Sequence, residues 1–147
     1  MGPSRTIVLV TTFTLTTLLL ITNTNGAMSE AQMKQAMKTL RGMCLGKSGV
    51  TTETLDKMQE GVFNDDDRNL KCYLGCIMGM LQVVKNNKIS LKMVKSQVAK
   101  MLEPDMGKRL IAAFEGCKDT VGEDNCDLAY KFAKCIYVSD SSAFIVP

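Results

Sequence analysis

Apolar residues recur at intervals of three and four along most of the chain after residue 26, with little strict alternation. This period predicts an all-α fold. Met33, Met37, Leu40 and Cys44 fall on one face of a first helix over 30–44, with Gly46 just beyond as its stop. Thr51 is the N-cap of a short second helix over 52–58, and Gly61 lies past its end. The third helix has the clearest pattern. Asp65 or Asp66 caps it, and Leu70, Tyr73, Leu74, Ile77, Leu81 and Val84 form its apolar stripe. Asn86-Asn87-Lys88 breaks that helix, and Ser90 caps a fourth with Leu91, Val94, Val98 and Met101 on one face. Pro104 suits the first turn of a fifth helix, where its missing N–H costs nothing, and Met106, Leu110, Phe114 and Cys117 point inward from it. Gly122 opens a turn before a sixth helix over 126–138, which aligns Cys126, Ala129, Tyr130, Ala133 and Tyr137.

The first 26 residues read as a secretory signal peptide rather than as part of the fold. Arg5 gives a positive start, Ile7 to Ile21 an apolar, threonine-rich middle, and Thr24 and Gly26 fit the −3 and −1 positions of a cleavage site. The apolar stretch is short for a membrane span, and no second one follows, so stable membrane insertion is not expected. Residues 27–147 carry no repeat, low-complexity run or interdomain linker, and read as a single secreted, extracellular domain.

Charge and composition remove several function classes. Without Arg5 the chain has 17 basic against 15 acidic residues, and a net +2 argues for neither nucleic acid nor anionic lipid. The sequence holds no histidine, so Ser-His and Cys-His dyads and a histidine-based phospholipase site are excluded, and no G-x-S-x-G elbow is present. No enzyme, cofactor or metal is expected. The membrane-active helical proteins that also use disulfides should show strongly basic amphipathic faces, which this chain lacks. The 11 methionines and absent tryptophan point to an interior of flexible and aliphatic side chains.

Six cysteines remain, spaced Cys44-x27-Cys72-x3-Cys76-x40-Cys117-x8-Cys126-x8-Cys135. Behind a secretory leader and without histidine they read as disulfides; a thiolate zinc site favours more than one short Cys pair. Helix geometry excludes some pairings. Cys126 and Cys135 are roughly 13 Å apart along one helix, out of bonding reach. Cys72 and Cys76 point the same way from one helix face, so each reaches a different neighbour. That makes the third helix a central strut.

The ordered spacing, above all Cys72-x3-Cys76 and Cys126-x8-Cys135, resembles that of the six-cysteine insect odorant-binding proteins, the group that includes pheromone-binding and general odorant-binding proteins. Cys117-Lys-Asp, Tyr130-Lys-Phe-Ala-Lys-Cys135 and the Phe144-Ile-Val-Pro147 ending add to the likeness, which covers the whole of 27–147. The resemblance implies the bonds Cys44–Cys76, Cys72–Cys126 and Cys117–Cys135. It implies a six-helix, disulfide-stapled shell around an apolar ligand cavity, and a carrier of odorants or pheromones through sensory lymph. The partner would be a small apolar volatile ligand, with an olfactory receptor as a further candidate and monomer and homodimer both open. A non-sensory lipophilic carrier and a disulfide-stapled signalling protein are the alternatives.

Given such a cavity, the helix stripes nominate its lining: Met37, Leu40, Met58, Tyr73, Leu74, Ile77, Leu81, Val94, Val98, Leu110, Phe114, Tyr130, Ala133 and Tyr137. The same stripes also suit ordinary core. Tyr73, Tyr130 and Tyr137 offer hydroxyls to an aldehyde, alcohol or ester. Lysine and arginine are expected outside, so no acidic ligand is required. Phe144 and Ile145 are apolar enough to cover the pocket, beyond the polar hinge 139–142. Members with a similar ending often carry an aromatic residue where this chain has Val146. With no imidazole, any acid response falls to carboxylates, and weak pH dependence of binding is expected.

Overall fold

A computed structural model of the chain describes residues 30–102, 104–144 and 146–147. The expected leader and Ile145 lie outside the described residues, as do the side chains of Glu30, Gln97, Ala99, Lys100 and Met101. The described residues form six α-helices: α1 (Glu30–Ser48), α2 (Thr52–Gln59), α3 (Arg68–Met80), α4 (Leu91–Met101), α5 (Pro104–Gly116) and α6 (Asn125–Ser139). A short hairpin, β1 (Val84–Lys85) and β2 (Lys88–Ile89), joins α3 to α4, and a 3-10 turn (Ser141–Ala143) follows α6. The fold is all-α, as the period of the apolar residues requires.

Local chemistry explains where most helices begin and end. The Thr51 hydroxyl accepts from the Thr54 N–H at 3.1 Å and starts α2. Asp67, not Asp65 or Asp66, caps α3 by accepting from the Leu70 N–H at 2.9 Å. Asp65 faces α6 instead, where it takes the Tyr130 hydroxyl and the Lys134 ammonium, each at 2.8 Å. Asp124 caps α6 through the Asp127 N–H at 2.9 Å. Ser90 holds the N-cap position of α4 without a side-chain cap bond. α1 continues through Gly46, the expected stop, despite glycine's poor helix propensity, and ends at Ser48 before Gly49, whose φ of 71° is a left-handed conformation that glycine adopts freely.

The break after α3 is more ordered than a loop. Asn86 and Asn87 have φ of 51° and 54°, the two left-handed residues of a tight hairpin turn, and Val84 pairs with Ile89 across it. Val84 is therefore a strand residue and not the last of the α3 stripe.

The most extensive packing is between α3 and α6. Leu70, Tyr73, Leu74 and Ile77 of α3 and Leu128, Ala129, Phe132 and Ile136 of α6 are all buried. Three disulfides tie neighbours to this pair. Cys44–Cys76 joins α1 to α3, Cys72–Cys126 joins α3 to α6, and Cys117–Cys135 joins the end of α5 to α6. Beside the middle bridge, the Asp127 carboxylate is only 5 % exposed. It meets the Lys71 ammonium at 3.1 Å, the Lys131 ammonium at 2.7 Å and the Glu123 N–H at 3.1 Å.

The Lys131 ammonium is the chief cause that holds the Asp127 carboxyl well below the usual carboxylate range, against the opposing effect of burial. A carboxyl depressed in the folded state contributes stability that is fully present above its unfolded value and lost as the pH falls through the folded one. Stability should therefore decline as the pH drops below about 4. Asp127→Asn should lower stability at neutral pH by about 1–3 kcal/mol and flatten that acid limb. Urea unfolding across the pH range checks this, and an unaltered acid slope would contradict it.

Candidate ligand cavity

α4 and α5 form one wall of an internal cavity of about 440 Å³, through Val94 and Val98 on α4, Leu102 between the helices, and Met106, Leu110 and Phe114 on α5. The two helices sit close because Gly107 has no side chain; a Cβ there would lie 3.2 Å from a Val98 methyl. α1 contributes Met33, Lys34 and Met37. Met78, Leu81 and Val83 come from the end of α3 and the turn after it, Ala133 and Ile136 from α6. Ala143, Phe144 and Val146 close the remaining side. Every lining residue except Lys34 is apolar, and four are methionines, whose unbranched chains adapt to irregular shapes.

The segment after α6 is docked by named contacts. Gln59 Nε2 donates to the Val146 carbonyl at 3.0 Å, Arg109 Nη1 to the Ser142 hydroxyl at 3.0 Å, and the Tyr73 hydroxyl to the Pro147 oxygen. The Phe144 ring meets Tyr137 at 5.3 Å and Phe63 at 5.9 Å, both edge to face. Gly61 lets Tyr137 in: its φ is 91°, and a Cβ there would fall 2.5 Å from the Tyr137 hydroxyl oxygen. Burial pushes the Tyr73 phenol up to about 12, so it remains a donor at any physiological pH.

Of the residues nominated from the sequence, Met37, Leu81, Val94, Val98, Leu110, Phe114, Ala133 and Phe144 come together around the cavity. Leu40 lines an open apolar groove beside α1 instead, which shares Met33, Met37 and Leu81 with the cavity. Met58, Tyr73, Leu74, Ile77 and Tyr130 are buried in the packed core outside the lining, and Tyr137 stands behind Phe144. The Tyr73 and Tyr130 hydroxyls are both engaged, with Pro147 and Asp65. Met33, Lys34, Met78, Val83, Leu102, Met106, Ile136, Ala143 and Val146 line the cavity without having been nominated. Met33 and Met106 shared a stripe with nominated residues; Lys34 gave no signal. Among the described residues, no cluster of acidic, cysteine or histidine side chains could hold a metal ion, and no helix is long and apolar enough to cross a membrane.

Residues 26–139 match the PBP/GOBP family. The chain belongs to that family. General odorant-binding protein 19a of Drosophila melanogaster is 32% identical over 133 residues, covering 86% of this chain and 89% of the relative. Two solved structures have the same fold. Odorant binding protein 4 of Chrysopa pallens has a TM-score of 0.75 and 33% identity, covering 82% of this chain and 99% of that one. Odorant binding protein 5 of Apis mellifera has a TM-score of 0.72 and 31% identity, with 82% and 99% covered. These relatives are odorant-binding proteins, not enzymes.

If the cavity is where this PBP/GOBP chain takes its ligand, filling it must compete. Val94→Phe adds a ring to a wall residue that is 5 % exposed. An apolar fluorescent probe should then bind about tenfold more weakly or worse, with helical circular dichroism retained. Unchanged probe affinity in a folded variant would place binding elsewhere.

Proposed function

We propose that this chain is a secreted carrier which encloses one small, largely apolar molecule behind its docked tail and moves it through an extracellular fluid such as sensory lymph. The observation that carries the reading is the cavity itself: an almost wholly apolar space kept open inside a helical shell with three disulfides, in a chain of an odorant-binding family. Water gains little in such a space, whereas an apolar ligand leaves water and recovers the missing contacts. For a ligand of about 12–18 heavy atoms, roughly 0.3–0.5 kcal/mol per atom gives dissociation constants near micromolar, tight enough to load and weak enough to release. The proposal includes removal of residues 1–26 as a leader and delivery to a receptor.

Release by mild acid has no imidazole to work through, since the chain contains no histidine. At the tail, the Tyr73 phenol is raised by burial and the Asp140 carboxyl is lowered, chiefly by the Ser142 hydroxyl, so both titrate outside the mildly acidic range. Displacement of a fluorescent apolar probe by volatile alcohols, esters and aldehydes should give affinities within about twofold at pH 7 and pH 5.5. The same protein should leave anionic vesicles intact. Vesicle leakage without probe displacement would overturn the carrier reading, and loss of most affinity at the lower pH with the fold intact would reveal a carboxylate switch.

A further inference from the structure

The cavity and the open groove beside α1 share three residues, Met33, Met37 and Leu81. All three are half-buried, so the same side chains wall the inner space and floor the outer one. Around them the groove offers Ala36, Leu40, Met43 and Met80, the last two exposed. The other walls are held more firmly. α4 meets α5 across Gly107, α3 and α6 are bonded and closely packed, and the tail is fixed by Gln59, Arg109 and Tyr73. The disulfide on α1 lies at Cys44, and no residue from Ala31 to Thr39 is buried. The first buried position, Leu40, is about 14 Å along the helix from Ala31. Segments with so few buried contacts are the ones that open at least cost.

We infer that the ligand enters and leaves through this shared wall, by displacing Met33 and Met37 from Leu81, and that the groove is the vestibule where an apolar molecule first lands. The inference rests on the carrier reading of the same cavity and adds a route to it. The docked tail is then a fixed wall and not the door. Two features suit the groove to this role. Its apolar surface takes the molecule partly out of water before the wall opens, so desolvation proceeds in two stages. The wall itself is mostly methionine, whose unbranched chain swings aside without disturbing the backbone.

The test is stopped-flow mixing of the oxidised protein with the apolar fluorophore N-phenyl-1-naphthylamine, which gives association and dissociation rates. Ala36 and Thr39 are exposed and line the groove but not the cavity. Ala36→Trp and Thr39→Trp, each obstructing the groove, should slow both rates about fivefold or more and leave the dissociation constant within about twofold. They touch the path and not the bound state, so entry and exit must suffer alike. Gln59→Ala and Arg109→Ala, which loosen the tail, should leave the association rate within about twofold. Unchanged association in both tryptophan variants, with helical circular dichroism retained, would overturn the inference and leave the carrier reading standing. So would faster association when the tail is loosened, or a change confined to dissociation, which would mean that the groove holds the ligand and does not pass it. If the fluorophore does not bind the natural protein at all, the carrier reading fails and the inference goes with it.

Discussion

The contact between α3 and α6 is the constraint on which the rest of the structure depends. Gly75 on α3 faces the α6 backbone so closely that a Cβ would lie 3.1 Å from the Cys126 Cα. One turn earlier, Cys72 is bonded to that same Cys126, with the two Cα atoms 4.4 Å apart. Next to the bond, Lys71 meets the buried Asp127. A missing side chain, a covalent bond and a shielded ion pair therefore fix one line of contact, and α1 and the end of α5 are tied to it by the other two disulfides. Magnitudes show why such bracing matters. A space of about 440 Å³ that side chains do not fill, at about 24 cal/mol per Å³ for a sealed void, forgoes at most on the order of 10 kcal/mol of packing. Three bridges at about 2–4 kcal/mol each return a similar amount by restricting the unfolded chain. A hollow interior is tolerable because the shell is stapled.

The same economy of groups shapes what the cavity can recognise. The core tyrosines are committed to structure: Tyr130 ties α6 to Asp65, and Tyr73 anchors the tail. Phe63, Tyr137 and Phe144 then wedge the tail in place through edge-on ring contacts. With these groups engaged in closing the container, the lining is left almost wholly apolar.

The helices were legible because their apolar period and caps are local. Thr51 and Pro104 mark helix starts in the sequence and do so in the structure. The α3 cap falls at Asp67, one residue past Asp66 and two past Asp65, because three aspartates stand in a row, and only the distant Tyr130 and Lys134 decide that Asp65 turns away. The hairpin signal was present in Asn86-Asn87, a pair tolerant of left-handed φ, but strands of two residues leave no alternation to read. The lining was harder. Leu74 and Val94 have the same chemistry and both lie on apolar stripes, yet one packs against helices and the other faces a space, a difference set by tertiary contacts alone. Lys34 was invisible for a related reason, since a lone lysine on a helix ordinarily points to solvent.

The most direct test of the central claim is native mass spectrometry of the fully oxidised protein with an apolar ligand, beside the same chain reduced and alkylated. A stapled container should give a one-to-one complex when oxidised and lose it when reduced, in step with loss of helical structure. An oxidised, helical protein that retains no ligand, or a reduced chain that binds just as well, would contradict the account.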